Sequence, residues 1–148
     1  MKILLSTTVK GNPKSIMKRF GESLFKALAP PGIRLELIQF DGSKKGDKVH
    51  LKMFPLGISF LKQEWISVIT EHGAKEDSAW FIDEGQQLPW FIRSWRHQHI
   101  VQKLNQTESI IIDYITYKSS FFLIAWLLYP VMLLQFYYRK PIYRRYFN

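Results

Sequence analysis

The 148-residue sequence has no cysteine, which excludes disulfides and thiolate metal sites and with them a disulfide-stapled secreted scaffold. It also lacks a glycine-rich phosphate loop, a G-x-S-x-G elbow and a zinc-binding pair of histidines on a helix. These absences remove the usual signatures of nucleotide binding, serine hydrolysis and metalloprotease chemistry. A secretory signal is not expected. After Met1 and Lys2 the apolar run Ile3-Leu4-Leu5 stops at Ser6-Thr7-Thr8, short of an h-region. The location expected is therefore the cytoplasm, with peripheral membrane contact as an addition. Linkers, repeats and low-complexity tracts are missing too, and the length suits one domain over residues 1–148. The longest absence is of charge, from Phe121 to Tyr138.

A hydrophobic fraction of 47% beside 22% charged residues suits a folded soluble protein. Aromatic residues, at 16%, are numerous enough to wall an apolar cavity. The net charge of +9 invites a nucleic-acid reading, but the basic residues are scattered over the first helix, a hairpin and the C-terminus. No nucleic-acid module accompanies them. Attraction to an anionic membrane is the better reading, because Arg139, Lys140, Arg144 and Arg145 directly abut the uncharged stretch.

Lys2 to Lys10 reads as a first strand. Asn12-Pro13 supplies an N-cap and a preset first turn for a helix over Pro13–Ala29, with Ile16, Met17, Phe20, Leu24, Ala27 and Leu28 on one face. Pro30-Pro31-Gly32 ends it. Six further strands follow, at Ile33–Phe40, Lys48–Phe54, Phe60–Thr70, Asp77–Asp83, Ile92–Leu104 and Ser109–Lys118, joined by turn-rich segments. Consecutive hairpins make an antiparallel meander, and α/β alternation is absent.

Phe121–Tyr138 could cover that sheet or cross a membrane. As a helix it would be about 27 Å long, near the ~30 Å hydrocarbon core of a bilayer. Gln135, three tyrosines and Pro130 make it less lipid-like than a Leu-rich span. Its departure would also leave an apolar sheet uncovered. A buried cover helix is the favoured reading and a membrane anchor the alternative.

The most distinctive chemistry lies on the last two strands. Period two puts Trp95, His97, His99 and Val101 on one face, and Ile111, Asp113, Ile115 and Tyr117 on one face of the next strand. If His99 opposes Asp113 the two sets share a surface; a one-residue slip separates them. Sharing would allow a site of two histidines and a carboxylate for a metal, acid–base chemistry by Asp113, His97 or His99 and Tyr117, or a structural set, buried as a network or exposed across the strands, that orients a ligand or fixes the hairpin. The last is favoured, so no catalytic residue, metal or cofactor is expected.

The order strand, helix, six strands, long C-terminal helix resembles the helix-grip fold of the START-related SRPBCC superfamily across the whole chain. More specifically, Ser94-Trp95-Arg96-His97-Gln98-His99, Asp113-Tyr114-Ile115-Thr116-Tyr117 and Phe136-Tyr137-Tyr138-Arg139-Lys140 are similar to small bacterial ligand-binding SRPBCC proteins. Those show a W-x-H-x-H strand, a D-x-x-x-Y strand and an aromatic-aromatic-Arg helix end. The chain departs from their pattern in its very aromatic last helix and in having one clear helix between the first two strands. The resemblance implies an α+β fold, a curved antiparallel sheet of about seven strands around the last helix, with an apolar pocket for a hydrophobic small molecule or lipid. Trp80, Trp95, Trp126, Tyr129 and Met132 would wall the pocket, and His97, His99, Asp113 and Tyr117 would orient the ligand. Phe54, Leu56, Ile58, Trp90 and Phe91 would form its rim. Relatives include carriers, cyclases and cofactor-free hydrolases, so an enzyme using the His97/His99/Asp113/Tyr117 set is the competing expectation.

Overall fold

The computed structural model describes residues 1–148. Strand β1 (Lys2–Lys10) leads into two short helices, α1 (Pro13–Lys18) and α2 (Glu22–Ala27). Strands β2 (Ile33–Phe40), β3 (Lys48–Pro55), β4 (Gln63–Ala74), β5 (Ser78–Gln87), β6 (Ile92–Lys103) and β7 (Glu108–Ser119) then run as a meander. Helices α3 (Phe122–Tyr137) and α4 (Arg139–Phe147) close the chain. The seven strands form one antiparallel sheet in the order β1-β7-β6-β5-β4-β3-β2. Register shifts in β2, β4 and β6, at Leu37/Gln39, Ile66/Ser67, Ile69/Glu71 and Ile92/Ser94, insert the bulges that bend and twist strands. This is the expected helix-grip order.

The expected single helix over Pro13–Ala29 is two. Asn12 caps the first, its side chain accepting from the Ser15 N–H at 2.9 Å, with Pro13 in the first turn. The helix stops at Arg19, and Gly21 starts the second. Ile16, Phe20, Leu24 and Leu28 are nevertheless all buried, so the apolar stripe continues through the break. The second helix removes one of the two departures from the relatives' pattern.

A larger difference lies at the C-terminus. The basic tail that follows Tyr138 is helical, and α4 buries Tyr143 and Phe147 completely or nearly so, four residues apart on one face. They join Val9, Ile16, Phe20, Leu24, Ile69, Phe81, Val101 and Ile111 in the larger apolar cluster. The second cluster holds Met132 and Phe136 of α3 against Ile3, Ile92, Trp95, Ile115 and Tyr117. The uncharged stretch, expected to cover the sheet along its whole length, is therefore a cover only at its C-terminal end. Phe121, Phe122, Leu123, Trp126, Leu127, Val131 and Leu134 are exposed, and only 17% of the helix's most apolar window is buried. The cover is shared instead with the segment that looked like a charged tail, because alternate turns of α4 carry aromatic rings between the arginines.

Candidate functional site

A cavity of about 280 Å³ lies between the concave sheet and the helices. Hydrophobic residues make up 21 of its 34 lining residues, among them Leu24, Leu51, Trp65, Phe81, Met132 and Phe136. Asp83, His97 and His99 reach it from neighbouring strands, and Gln135 and Arg139 from the C-terminal helices.

The polar groups meet because of the register. His99 lies opposite Asp113 across β6 and β7, the alternative that puts both sets on one surface. On the other side of β6, His97 lies opposite Asp83 of β5. His97 Nε2 is 2.9 Å from Asp113 Oδ1, and His99 Nε2 is 3.2 Å from Asp83 Oδ2. The Trp95 indole N–H donates to Asp83 Oδ1 at 3.2 Å, and the Tyr143 hydroxyl to Asp113 Oδ1 at 3.3 Å. The two imidazole rings lie with centroids 3.6 Å apart, and His99 stacks on Phe81.

Burial sets the electrostatics of this cluster. Loss of water pushes the His97 imidazole down to about 4, with His99 acting in the same sense and Asp113 only partly opposing them. Burial would raise both carboxyls. Hydrogen bonds from His99 to Asp83 and from His97 to Asp113, with the imidazole charges nearby, outweigh it and hold both below the ordinary value of 3.8. The Tyr143 hydroxyl is pushed well above 10 by burial, with the Asp113 charge adding to the effect.

The expected site residues divide. Trp95, His97, His99 and Met132 line the cavity. Asp113 does not; it stands behind His97 as its hydrogen-bond acceptor. Tyr117 is buried in the second apolar cluster, where its hydroxyl donates to the Ala125 carbonyl at 3.3 Å and pins the start of α3. Trp80 faces away from the cavity. Its indole N–H donates to Glu71, and its ring lies where a side chain on Gly73 would have to be. Trp126 is exposed and Tyr129 packs on the second cluster, so neither is the pocket wall that was expected.

Among the expected rim residues, Phe91 lines the cavity with Pro89. Phe54 is buried on the opposite face of β3, with the Arg34 guanidinium 3.9 Å above its ring. Ile58 is half-buried, and Leu56 and Trp90 are exposed. Leu56 has a φ of 52°, a left-handed conformation unusual for leucine, at the tip of the β3–β4 connection. Trp90 adjoins the start of α3, since the Ser120 hydroxyl donates to its carbonyl at 2.7 Å.

Asp83, Tyr143 and Arg139 were not anticipated. The sequence pattern ends a strand at Asp83, whereas β5 continues to Gln87 and leaves it in mid-strand. The available signal was parity with Phe81, which puts an acid in phase with the inward face. Arg139 stood in the aromatic-aromatic-Arg helix end but was given no place in the site, and Tyr143 required α4.

No protein-family model and no curated protein sequence matches the chain. Solved structures do match its fold. A norcoclaurine synthase point mutant from Thalictrum flavum, in complex with a transition-state analogue, superposes with a TM-score of 0.63 at 12% identity, over 88% of this chain and 82% of that one. Major latex-like protein 151 from Panax ginseng gives 0.54 at 17%, covering 82% and 80%. A protein of Thermus thermophilus gives 0.59 at 12%, covering 92% and 86%. The chain has the helix-grip fold of the START-related SRPBCC superfamily, and at these identities the likeness is one of fold.

Proposed function

We propose that residues 1–148 form one binding domain for a compact hydrophobic molecule with an oxygen-bearing end, held in the cavity under α3 and α4. The cavity itself carries this reading. Its volume of about 280 Å³ is at the small end of ligand pockets, which run from ~300 to 1,000 Å³. Its walls are mainly apolar, and Arg139 adds a cation whose buried Nε has no partner. A ligand carboxylate or carbonyl would supply the missing acceptor. The test is native mass spectrometry of the protein purified from its own cells, followed by organic extraction. A small apolar molecule should be retained by the wild type. It should be lost from Ser67→Phe, which sets a ring at a buried lining position. Equal retention by the variant would move the ligand out of the cavity.

A second reading, acid–base catalysis, is favoured by His97. It lines the cavity, is neutral at pH 7 and has Asp113 behind it. Norcoclaurine synthase is an enzyme on this fold. Conversion of the retained molecule by wild type but not by His97→Gln would favour it over simple binding.

We further propose that ligand exchange takes place at an anionic membrane surface, which α3 and Trp90 enter. The exposed apolar residues of α3 adjoin Arg139, Lys140, Arg144 and Arg145 in a chain of net charge +9. A full crossing fits less well. Met132, Phe136, Tyr143 and Phe147 tie the later turns to the sheet. The part before those anchors, Phe121 to Val131, would span only about 15 Å, half the hydrocarbon core. Vesicles rich in phosphatidylserine should sediment the protein, less so in high salt and less so for Trp90→Ala with Leu127→Glu. Absence of sedimentation from anionic vesicles would end this reading.

A further inference from the structure

The cluster of Asp83, His97, His99 and Asp113 has more close nitrogen–oxygen approaches than hydrogens to occupy them. Four such approaches join the two imidazoles to the two carboxylates, at 2.9, 3.2, 3.4 and 3.6 Å. Two neutral imidazoles carry one N–H each. Asp113 takes the His97 Nε2 hydrogen in the shortest contact. His97 Nδ1 is then a bare lone pair facing Asp83 Oδ2 at 3.6 Å. In the metal-free protein His99 Nε2 donates its hydrogen to the same Asp83 oxygen, 3.2 Å away; in the Nδ1–H tautomer it presents a lone pair there instead. Its Nδ1 lies 3.4 Å from Asp113 Oδ1, without hydrogen-bond geometry in this arrangement. In that tautomer lone pairs of Asp83, His97 and His99 converge on one point, and a cation placed there would replace the single His99–Asp83 hydrogen bond with three bonds.

The dimensions suit such a cation. One ligand atom from each of Asp83, His97 and His99 lies within 4.8 Å of the other two. Bonds of about 2.0–2.2 Å put neighbouring ligand atoms of a tetrahedral ion roughly 3.3–3.6 Å apart. The two contacts to Asp83 Oδ2, at 3.2 and 3.6 Å, bracket that spacing. Each of these side chains is also held from behind. Trp95 donates to the other oxygen of Asp83, and Asp113, itself bonded by Tyr143, holds the far nitrogen of His97. The His99 ring is stacked on Phe81 with centroids 4.2 Å apart. A carboxylate on the far ring nitrogen is how metal-binding histidines are usually oriented.

We propose that Asp83 Oδ2, His97 Nδ1 and His99 Nε2 bind one divalent first-row transition-metal ion, of which zinc is the type. Two imidazole nitrogens and one carboxylate suit such an ion and do not suit calcium or magnesium, which take oxygen ligands. Since all three residues line the cavity, the ion's remaining position faces into it. The metal site stands whether or not the cavity also takes an apolar molecule.

The experiment is calorimetric titration of the full chain, without a histidine tag and stripped by EDTA, with Zn²⁺. Binding of one ion per chain with a Kd at or below about 10 μM is expected. Asp83→Asn and His99→Gln should each weaken it by a factor of about 100, and Asp113→Asn by about 10–100. His72→Gln, at an exposed imidazole of β4, should change nothing. Histidine ring NMR of the wild type decides the matter even if the cavity variants do not fold. On adding Zn²⁺, the His97 and His99 resonances should shift while those of His50 and His72 stay. The proposal is overturned if the wild type binds neither Zn²⁺, Co²⁺ nor Ni²⁺ at about 1 mM. It is equally overturned if binding occurs with the His97 and His99 resonances unmoved.

Discussion

Asp113→Ala should lower the unfolding free energy by about 2–5 kcal/mol, because two buried donors lose their acceptor at roughly 1–3 kcal/mol each. The carboxylate is almost fully buried, and its Oδ1 accepts from His97 Nε2 and from the Tyr143 hydroxyl. Its loss leaves two buried donors unsatisfied, on β6 and on α4. The damage should be larger than for an ordinary polar residue because this one atom ties the sheet to the last helix. Asp113→Asn keeps the size and one acceptor, so it should recover a substantial part of the loss. Urea midpoints in EDTA measure both. A loss below about 1 kcal/mol for the alanine variant would mean that the carboxylate is hydrated and the network unformed.

The second large effect is acid lability. In the unfolded chain His97 takes up its proton near 6.5, whereas in the fold burial delays protonation to about 4. Between those values the unfolded state binds more protons, so stability falls as pH is lowered and is fully present only above 6.5. That gap corresponds to about 3 kcal/mol, at about 1.4 kcal/mol per pH unit. The groups facing His97 are Asp83 from β5, His99 on its own strand, Asp113 from β7 and Phe136 from α3. Both carboxyls are depressed as well, and their contributions are lost as pH falls below 3.8. All three trends have one sign. The urea midpoint of metal-free protein should fall steadily from pH 7 to pH 4. His97→Gln should flatten that slope, and an equal slope in the variant would assign the lability to other groups.

The exposed run of α3 adds a practical expectation to these two. Acid conditions that loosen the His97 cluster release α4 from Asp113, and with it the hold on the apolar helix. The proposed membrane contact and the acid lability would therefore act on the same joint, between the sheet and the C-terminal helices.

How much of this was readable beforehand differs between elements. The meander was legible because six segments alternate and are punctuated by turn residues. The W-x-H-x-H and D-x-x-x-Y strands carried their own periodicity, so the shared face of His97, His99 and Asp113 was among the stated alternatives. The register was not, since a one-residue slip costs nothing in local pattern and everything in which face is buried. Asp83 was hidden by a strand boundary. Beyond it, Glu84-Gly85-Gln86-Gln87 has no apolar alternation, and only pairing with β4 and β6 keeps it extended. The break at Phe20-Gly21 was hidden by a stripe that runs on through it.

From local pattern alone came the antiparallel class, the first helix's apolar face, the uncharged stretch and the shared face of the two histidines. Those follow from period, charge and turn chemistry, which act over a few residues. Which part of the last helix covers the sheet, which tryptophans face the cavity and which acid meets which histidine came only with the tertiary structure. The reason is that helix periodicity states that a face is apolar but not what it faces. In α3 every face is apolar, so only the anchoring of Tyr143, Phe147, Met132 and Phe136 in the two cores decides which side is left to the outside.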